Sequence, residues 1–203
     1  MNVPGCEWRQ EECMKQRPFL SRLKLFLIVV IPFLSLCILM GWALIKSGGQ
    51  PAGIAVNSTF GAIDVAKRPA NNFTLTRLNG DSIQLSELRG KIVLIDFWSS
   101  WCPPCRAEAS ALSAAYEQYQ ELGVEFVGVA IWDSEKSVKR FIDEHQVSYP
   151  NGIDNSGSIA IDYGLTGIPE KYLVDREGML IGKFLGPMSL GRINAVLQEA
   201  IQP

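Results

Sequence analysis

The longest stretch of the chain without a charged residue lies near its N-terminus. It covers residues 25–45, LFLIVVIPFLSLCILMGWALI. At about 1.5 Å per residue, a helix of this length spans roughly 30 Å, which is the thickness of the hydrocarbon core of a bilayer. Pro32 and Gly41 are both tolerated in helices of this kind. The pattern predicts a single transmembrane helix.

Two other interpretations of this segment are less favoured. A cleaved signal peptide has an apolar region of about 7 to 15 residues followed by a site with small residues. Here the run is longer, and Ser47 with the glycines after it is only a weak candidate site. A lipoprotein signal is disfavoured because Leu36, before Cys37, is bulkier than the small residue usual there. Cys37 is then an apolar side chain in lipid, and the anchor stays uncleaved.

Basic residues are unevenly distributed around the apolar run. Lys15, Arg17, Arg22 and Lys24 precede it, whereas Lys46 stands alone after it. The positive-inside rule therefore predicts that residues 1–24 form a cytoplasmic tail. It places the remainder of the chain outside the cytoplasmic membrane, in the periplasm or its equivalent.

Beyond the anchor the pattern changes twice. Residues 46–70 are small and polar and are interrupted by Gly and Pro, so they are predicted to be a linker. A folded domain is predicted from residue 71 to residue 203. It opens with FTLTRLNGDSIQLSEL, which alternates on both sides of Asn79 and Gly80 and indicates a β-hairpin.

Apolar runs and amphipathic segments alternate through this domain. KIVLIDFW and VEFVGVAIW are continuous apolar runs, typical of strands buried on both faces, and KYLVD with MLIGKFLG predicts a hairpin. Helices are predicted over 106–122, from Ser134 to about 145 with Asp133 or Ser134 as cap, over 158–163 and over 189–201. The order predicts an α/β fold, a mixed central sheet flanked by helices.

Length and charge narrow the class of protein. A chain of 203 residues with a net charge of −2 accommodates one ordinary domain and an appendage. No basic stripe is present, so no nucleic-acid partner is predicted. The five scattered cysteines do not resemble a disulfide framework. Cys6 and Cys13 fall in the predicted cytoplasmic tail at a spacing that matches no common zinc pattern, and are interpreted as spare thiols.

The remaining two cysteines stand in DFWSSWCPPCRAE, between a predicted buried strand and a helix. A Cys102–Cys105 bridge closes too short a loop to be an effective staple. A metal site needs three or four ligands, but the domain has no other cysteine and its one histidine, His145, lies on a charged helix. No metal or other cofactor is therefore predicted.

Redox exchange is the interpretation with positive support. Cys102 stands at a helix start, where the dipole favours a thiolate, and Cys105 lies one turn on, where it can resolve a mixed disulfide. Pro104 stiffens the first turn. Both cysteines are therefore the candidate catalytic residues.

FWSSWCPPC resembles the active-site signature of the thioredoxin superfamily. GLTGIPEKYLVDREG, residues 164–178, is similar to the second signature, a proline loop before the penultimate strand. The resemblance covers about residues 71–203. It implies a thioredoxin-like fold in which Pro169 follows a cis peptide bond and faces the cysteine pair.

The anchor, CRAE and GIPE are similar to the cytochrome c biogenesis thiol-disulfide proteins, of the CcmG/DsbE type with ResA and TlpA relatives. This resemblance implies a reductase that keeps the haem-attachment cysteines of apocytochrome c reduced and is recharged by a membrane thiol electron donor. The alternative is a general extracytoplasmic disulfide oxidase or isomerase, although Pro103 and Pro104 replace the histidine of strong oxidants. A peroxidase and an assembly module without turnover are disfavoured.

Three acids accompany the motifs. Asp96 matches the buried acid of thioredoxin, where many biogenesis-type relatives carry a neutral residue. It is predicted to take a proton from Cys105; the alternative is an interior carboxylate satisfied by local hydrogen bonds. Glu108 and Glu170 match acids of the biogenesis type and are predicted to raise the thiol pKa. The alternative for Glu108 is an ordinary solvated helix residue.

The aromatic residues of the motif receive different roles. Trp98 is predicted to lie in the core. Trp101 is predicted to shield the sulfur. Together with Pro103, Ile168 and Glu170, Trp101 is expected to shape a docking groove for clients.

Overall fold

The computed structural model describes residues 24, 26–42, 55–57 and 60–202. It divides the chain into two compact units, Met1–Ala52 and Gly53–Pro203. The predicted cytoplasmic tail, with Cys6 and Cys13, lies outside the described residues.

The first unit contains helix α1, residues 26–42. Most of its large apolar side chains are exposed, from Phe26 to Trp42, and so is Cys37. Over the described residues, none of the helices has both the length and the apolar character needed to cross a membrane. Leu25 and residues 43–45 of the predicted anchor are outside the described part, and the anchor stays a prediction.

The second unit is built around a mixed sheet in the order β2-β11-β10-β6-β7-β8, with β3 also paired to β11. The strands of this unit are β1 (Ala55–Val56), β2 (Gly61–Ile63), β3 (Arg68–Pro69), β4 (Thr74–Thr76), β5 (Ser82–Gln84), β6 (Ile92–Trp98), β7 (Val124–Ile131), β8 (Asn151–Asp154), β9 (Gly167–Ile168), β10 (Glu170–Val174) and β11 (Met179–Leu185). β1 pairs with β9 and β4 pairs with β5 outside the mixed sheet. Every residue of β6 is buried, as its continuous apolar run predicts.

Helices cover the sheet. They are α2 (Pro103–Tyr119), α3 (Glu135–His145), α4 (Ser158–Asp162) and α5 (Leu190–Ile201). Two buried apolar clusters fill the layers between helices and sheet. The predicted α/β fold with a mixed sheet is confirmed.

Helix α2 differs from the prediction at both ends. It begins at Pro103 rather than at Arg106, because both prolines occupy the first turn, where a missing N–H costs no hydrogen bond. It ends at Tyr119, and a 3-10 turn leads to Gly123, whose φ of 81° is left-handed.

The segment predicted as a linker, residues 46–70, contributes strands from residue 55 onwards. β2 and β3 pair with β11, and β1 pairs in parallel with β9. Strands of two or three residues are too short for an alternating pattern to appear, so the composition alone favours a linker.

Strand register brings the two sequence motifs together. β10 runs antiparallel to β6, with Glu170 opposite Phe97 and Lys171 opposite Asp96. β6 therefore ends where β10 begins. The cysteine loop that follows Trp98 and the proline loop that precedes Glu170 consequently meet at one end of the sheet.

Candidate active site

The two cysteines form a disulfide at the start of α2. The S–S distance is 2.12 Å and the Cα atoms are 5.3 Å apart. Cys102 is the N-cap of the helix, and its Sγ accepts a hydrogen bond from the Cys105 N–H at 3.3 Å. Both side chains are buried, Cys102 completely. The sulfur of Cys102 therefore lies at the positive end of the helix dipole, which stabilises a thiolate after reduction.

The loop before the disulfide is held by hydrogen bonds to its surroundings. The Ser100 N–H donates to Asp133 Oδ2 at 2.6 Å, and Arg106 Nε donates to the Ser100 carbonyl at 2.8 Å. Of the two predicted caps of α3, Ser134 is the one that accepts from the helix, at 3.2 Å from the Ser137 N–H. Asp133 instead fixes the cysteine loop.

Trp98 lies in the core as predicted, and Trp101 lies nearer the surface. Trp98 is buried against Phe141, and its indole N–H donates to Asn151 Oδ1 at 2.8 Å. Trp101 is partly exposed, and its indole N–H donates to the Trp132 carbonyl at 3.2 Å.

Trp132 itself is a residue that the sequence analysis did not assign to the site. It is 50% exposed and has a positive φ of 48°, unusual for a bulky side chain. The sequence feature that could have identified Trp132 is its position directly after β7, a buried strand that pairs with β6. Trp132 adds apolar surface beside Trp101.

The proline loop has the geometry that the resemblance implies. The Ile168–Pro169 peptide bond is cis. Glu170 is completely buried, and its Oε1 accepts from the Thr166 N–H, the Thr166 hydroxyl and the Gly167 N–H at 2.6–3.0 Å. Its Oε2 accepts from the Tyr172 hydroxyl and pairs with Lys183, each at 2.9 Å. Glu170 therefore ties the loop before Pro169 to β10 and β11.

Asp96 and Glu108 lie with Lys171 in a buried cluster between the sheet and α2. Lys171 Nζ donates to Glu108 Oε1 and, at 3.2 Å, to the Gly186 carbonyl, and it lies 3.8 Å from Asp96 Oδ1. All three side chains are at most 2% exposed. Glu108 is thus not a solvated helix residue. Lys171 was missed by the sequence analysis, although a lysine inside an apolar strand is itself a signal.

The remaining oxygens of the cluster are unequally satisfied. Glu108 Oε2 accepts from the Met188 N–H at 2.8 Å, and Asp96 Oδ2 accepts from the Tyr149 hydroxyl at 3.1 Å. Among the residues that the structure describes, Asp96 Oδ1 has no hydrogen-bond partner, and it has only the more distant charge of Lys171. Asp96 is therefore not fully satisfied by local hydrogen bonds.

Burial and mutual repulsion leave this cluster able to titrate. Burial raises the pKa of Asp96, and Lys171 opposes that shift. Burial also raises the pKa of Glu108 to about 7, against Lys171 and with a contribution from the charge of Asp96. One ammonium compensates one carboxylate, so the second carboxyl group favours its proton. The cluster can bind or release a proton near neutral pH.

Cys105 and Glu108 are three residues apart on α2 and therefore share a helix face. This places a titrating carboxyl group one helical turn from the second cysteine. Among the side chains that the structure describes, no group of three or more His, Cys, Asp or Glu residues is arranged to hold a metal ion.

A mixed sheet, a CxxC disulfide capping a helix and an adjacent cis-proline loop define a thioredoxin-like thiol-disulfide oxidoreductase. The model of the AhpC/TSA family matches residues 66–182, more than half of the chain, and the chain belongs to this family. The substrates of this thiol-disulfide oxidoreductase are disulfide-bearing client proteins.

Curated relatives agree with this class. The chain is 35% identical to the thiol-disulfide oxidoreductase ResA of Halalkalibacterium halodurans, over 68% of this chain and 78% of that protein. It is 32% identical to ResA of Bacillus cereus, over 65% of this chain and 76% of the relative.

Solved structures are similar as well. A thioredoxin-family thiol:disulfide interchange protein from Chlorobium tepidum superposes with a TM-score of 0.63 at 25% identity, covering 68% of this chain and 99% of its own. A secreted Mycobacterium tuberculosis disulfide oxidoreductase homologous to E. coli DsbE gives a TM-score of 0.55 at 29% identity, covering 61% and 95%.

Proposed function

We propose that this oxidoreductase is a membrane-anchored protein-disulfide reductase that keeps the haem-attachment cysteines of apocytochrome c reduced during cytochrome c maturation. The observation that carries the direction of electron flow is the buried acid cluster one turn from Cys105. Negative charge beside a dithiol disfavours its thiolates, and a dithiol with less stabilised thiolates is the better electron donor. The similarity to thiol-disulfide oxidoreductases named ResA supports thiol-disulfide exchange as the chemistry.

The reaction is a two-step exchange. The Cys102 thiolate attacks the client disulfide, forming a mixed disulfide and releasing one client thiol. Cys105 then loses its proton and attacks Cys102 Sγ, which forms the Cys102–Cys105 disulfide and releases the second client thiol. Two electrons pass to the client, and a membrane thiol donor returns two electrons to the enzyme.

The buried acids serve the second step. The carboxylate of Glu108 or Asp96 accepts the proton that leaves Cys105, and Lys171 compensates the charge of whichever acid is ionised. A base whose pKa lies near the working pH is suited to this transfer, because it is both ionised and basic enough. The pKa of Glu108, raised by burial to about 7, meets that requirement.

The proposed location follows from the apolar run and its basic flank. Residues 25–45 anchor the chain in the cytoplasmic membrane, the N-terminus stays inside, and the catalytic unit acts on the other side. An anchor confines the catalytic unit near the membrane and raises its effective concentration for partners assembled there. An impermeant thiol reagent added to intact cells should label reduced Cys102 but not Cys6 or Cys13; labelling of the tail alone would contradict this topology.

The client is tested by deleting the gene and complementing it. Deletion should lower covalently bound c-type haem and leave b-type haem unchanged, and an added small thiol should restore part of the loss. Wild-type chain should complement, whereas Cys102→Ser, a one-atom change at the nucleophile, should not. Normal c-type cytochromes together with misfolded disulfide proteins would favour a general oxidase or isomerase.

Trapping identifies the order of attack and the client directly. Cys105→Ser should accumulate mixed disulfides between Cys102 and clients, because the resolving thiol is absent. Cys102→Ser is the matched control and should trap nothing. The reverse pattern would assign the attacking role to Cys105, and trapped adducts without apocytochrome c would reject the proposed client.

A further inference from the structure

The nucleophilic sulfur is covered in the oxidised protein. Cys102 is 0% exposed and Cys105 is 3% exposed. A thiolate must reach a disulfide sulfur in line with the S–S bond, so reduction of this disulfide requires some covering part of the molecule to move. This requirement depends on thiol-disulfide exchange at these cysteines and not on the identity of the client.

A short segment near the start of the second unit, residues 55–57, pairs with the neighbouring proline loop. β1 pairs in parallel with β9, with Ala55 opposite Gly167 and Val56 opposite Ile168. Val56 is half-buried and packs against the apolar cluster that contains Cys102, Cys105 and Ile168.

Residue 57 adds the two polar contacts that end this pairing. The Asn57 N–H donates to the Ile168 carbonyl at 2.7 Å. The Asn57 side-chain amide donates to the Pro169 carbonyl at 3.3 Å. The segment therefore uses the backbone acceptors of the very loop that meets the cysteine pair.

The other parts of the site are held much more firmly. The proline loop is tied down by five donors to Glu170, and the cysteine loop is bonded to Asp133 and Arg106. β1 forms only a two-stranded pairing with β9, outside the main sheet. Short pairings of this kind open at low free-energy cost.

We propose that residues 55–57, the strap, close over the Cys102–Cys105 site in the resting protein and open during exchange. Opening frees the carbonyl of Ile168 and one acceptor position of the Pro169 carbonyl, which keeps its bond from the Gly186 N–H at 2.9 Å, and it exposes an edge of extended backbone. Such an edge fits an extended client segment that flanks the reacting cysteine and adds to it as a strand. The strap and the client backbone therefore compete for the same acceptors.

The first test measures access to the disulfide in the full chain. Dithiothreitol reduces the Cys102–Cys105 bond through a mixed disulfide and leaves as its cyclic disulfide, and mass spectrometry of the peptide that contains both cysteines follows the rate. Asn57→Pro removes the N–H donor while the preceding Val56 stays extended. Proline also lacks the side-chain amide, so both hydrogen bonds of residue 57 are lost, and the rate should rise about tenfold.

Two further variants calibrate this result. Asn57→Ala keeps the backbone donor and should give a smaller rise, about twofold. Asn79→Ala removes a side-chain amide that bonds Asp81 in the distant β4–β5 turn, and it should leave the rate unchanged. Equal reduction rates in the wild type and all three variants, each natively folded, would overturn the proposal that the strap limits access to the disulfide.

A second measurement needs no change in the strap. The Cys105→Ser chain is joined through Cys102 either to a methylthio group or to a short synthetic peptide with one central cysteine flanked by valines. Hydrogen exchange at the Asn57 amide should be faster in the peptide adduct, because the peptide displaces the strap. Equal protection of the Asn57 amide in both adducts would overturn the proposal that the strap and the client backbone compete. Neither test uses apocytochrome c, so both can fail or succeed independently of the proposed client.

Discussion

Glu170 and Lys171 are neighbours on β10 and both are fully buried, yet their surroundings differ in kind. Because successive side chains of a strand point to opposite faces, the two residues enter different layers of the molecule. Glu170 meets five donors, including its own lysine, Lys183. Lys171 instead meets two carboxylates, Asp96 and Glu108, which share its single charge.

This difference distinguishes a carboxylate that stabilises a loop from carboxylates that can bind and release protons. Glu170 has its charge compensated and its oxygens bonded, so it holds the proline loop in place. The acids around Lys171 are under-compensated, and one carboxylate oxygen of Asp96 has no hydrogen-bond donor within the described part of the chain. A buried group in that state binds protons readily. Acidic residues beside one active site thus have a compensated charge on one face of the sheet and an under-compensated charge on the other.

Among the substitutions proposed for these two faces, removing Lys171 should cause the largest loss in the free energy of unfolding. Lys171→Met leaves both carboxyl groups of the cluster buried without a counter-charge, and breaking a buried ion pair in this way costs about 3–5 kcal/mol. The loss should be greater at pH 8 than at pH 5, because protonation removes the uncompensated charge. Urea denaturation at the two pH values measures it.

Lys91→Met is the matched control for this change. Lys91 pairs with Glu125 at 2.8 Å, but its side chain is 47% exposed, and exposed pairs contribute at most about 1 kcal/mol. Similar losses for the two variants, without dependence on pH, would show that the Lys171 cluster does not carry the charge imbalance inferred above.

Glu108→Gln should next remove much of the pH dependence of stability. Burial raises the pKa of Glu108 from 4.5 to about 7 in the folded protein, so the native state binds this proton more tightly than the unfolded state. Stability therefore falls as pH rises between about 4.5 and 7, on the order of 3 kcal/mol in total. The raised pKa of Asp96 acts in the same direction.

The free energy of unfolding between pH 4 and pH 8 tests this sign. The slope should be smaller in Glu108→Gln than in the wild type. It should be unchanged in Glu117→Gln, which alters an exposed residue of the same helix. A wild-type stability that rises over this range would contradict a proton held by the cluster.

The sequence predicts the framework of the site well, because the framework depends on local patterns. The continuous apolar run of β6, the cysteines at a helix start and Pro169 each carry their signal within a few residues. The cis bond before Pro169 and the burial of Asp96 and Trp98 agree with those patterns.

The missed features depend on contacts between residues distant in the chain. Lys171 joins Asp96 and Glu108 only because β10 lies beside β6 under α2. The pairing of β1 with β9 joins residues more than a hundred positions apart. A two-residue strand has no periodicity, and a single buried lysine has no visible partner in the sequence.

The smallest effect is expected at Glu170. Glu170→Gln keeps an oxygen for the Thr166 and Gly167 N–H donors and removes one negative charge near the cysteine pair. The Cys102 thiol pKa should therefore fall. The fall should be smaller than in Glu108→Gln, because Lys183 already compensates Glu170 at 2.9 Å, whereas Glu108 shares its lysine with Asp96. The pKa of Cys102 is measured as thiolate absorbance against pH in the reduced Cys105→Ser background, where Cys102 is the one thiol of the catalytic unit. The same background carrying Glu117→Gln is the control. A larger fall of the thiol pKa in Glu170→Gln than in Glu108→Gln would contradict this comparison of the two faces of the sheet. The carboxylate with five donors would then have the greater influence on the pKa of Cys102.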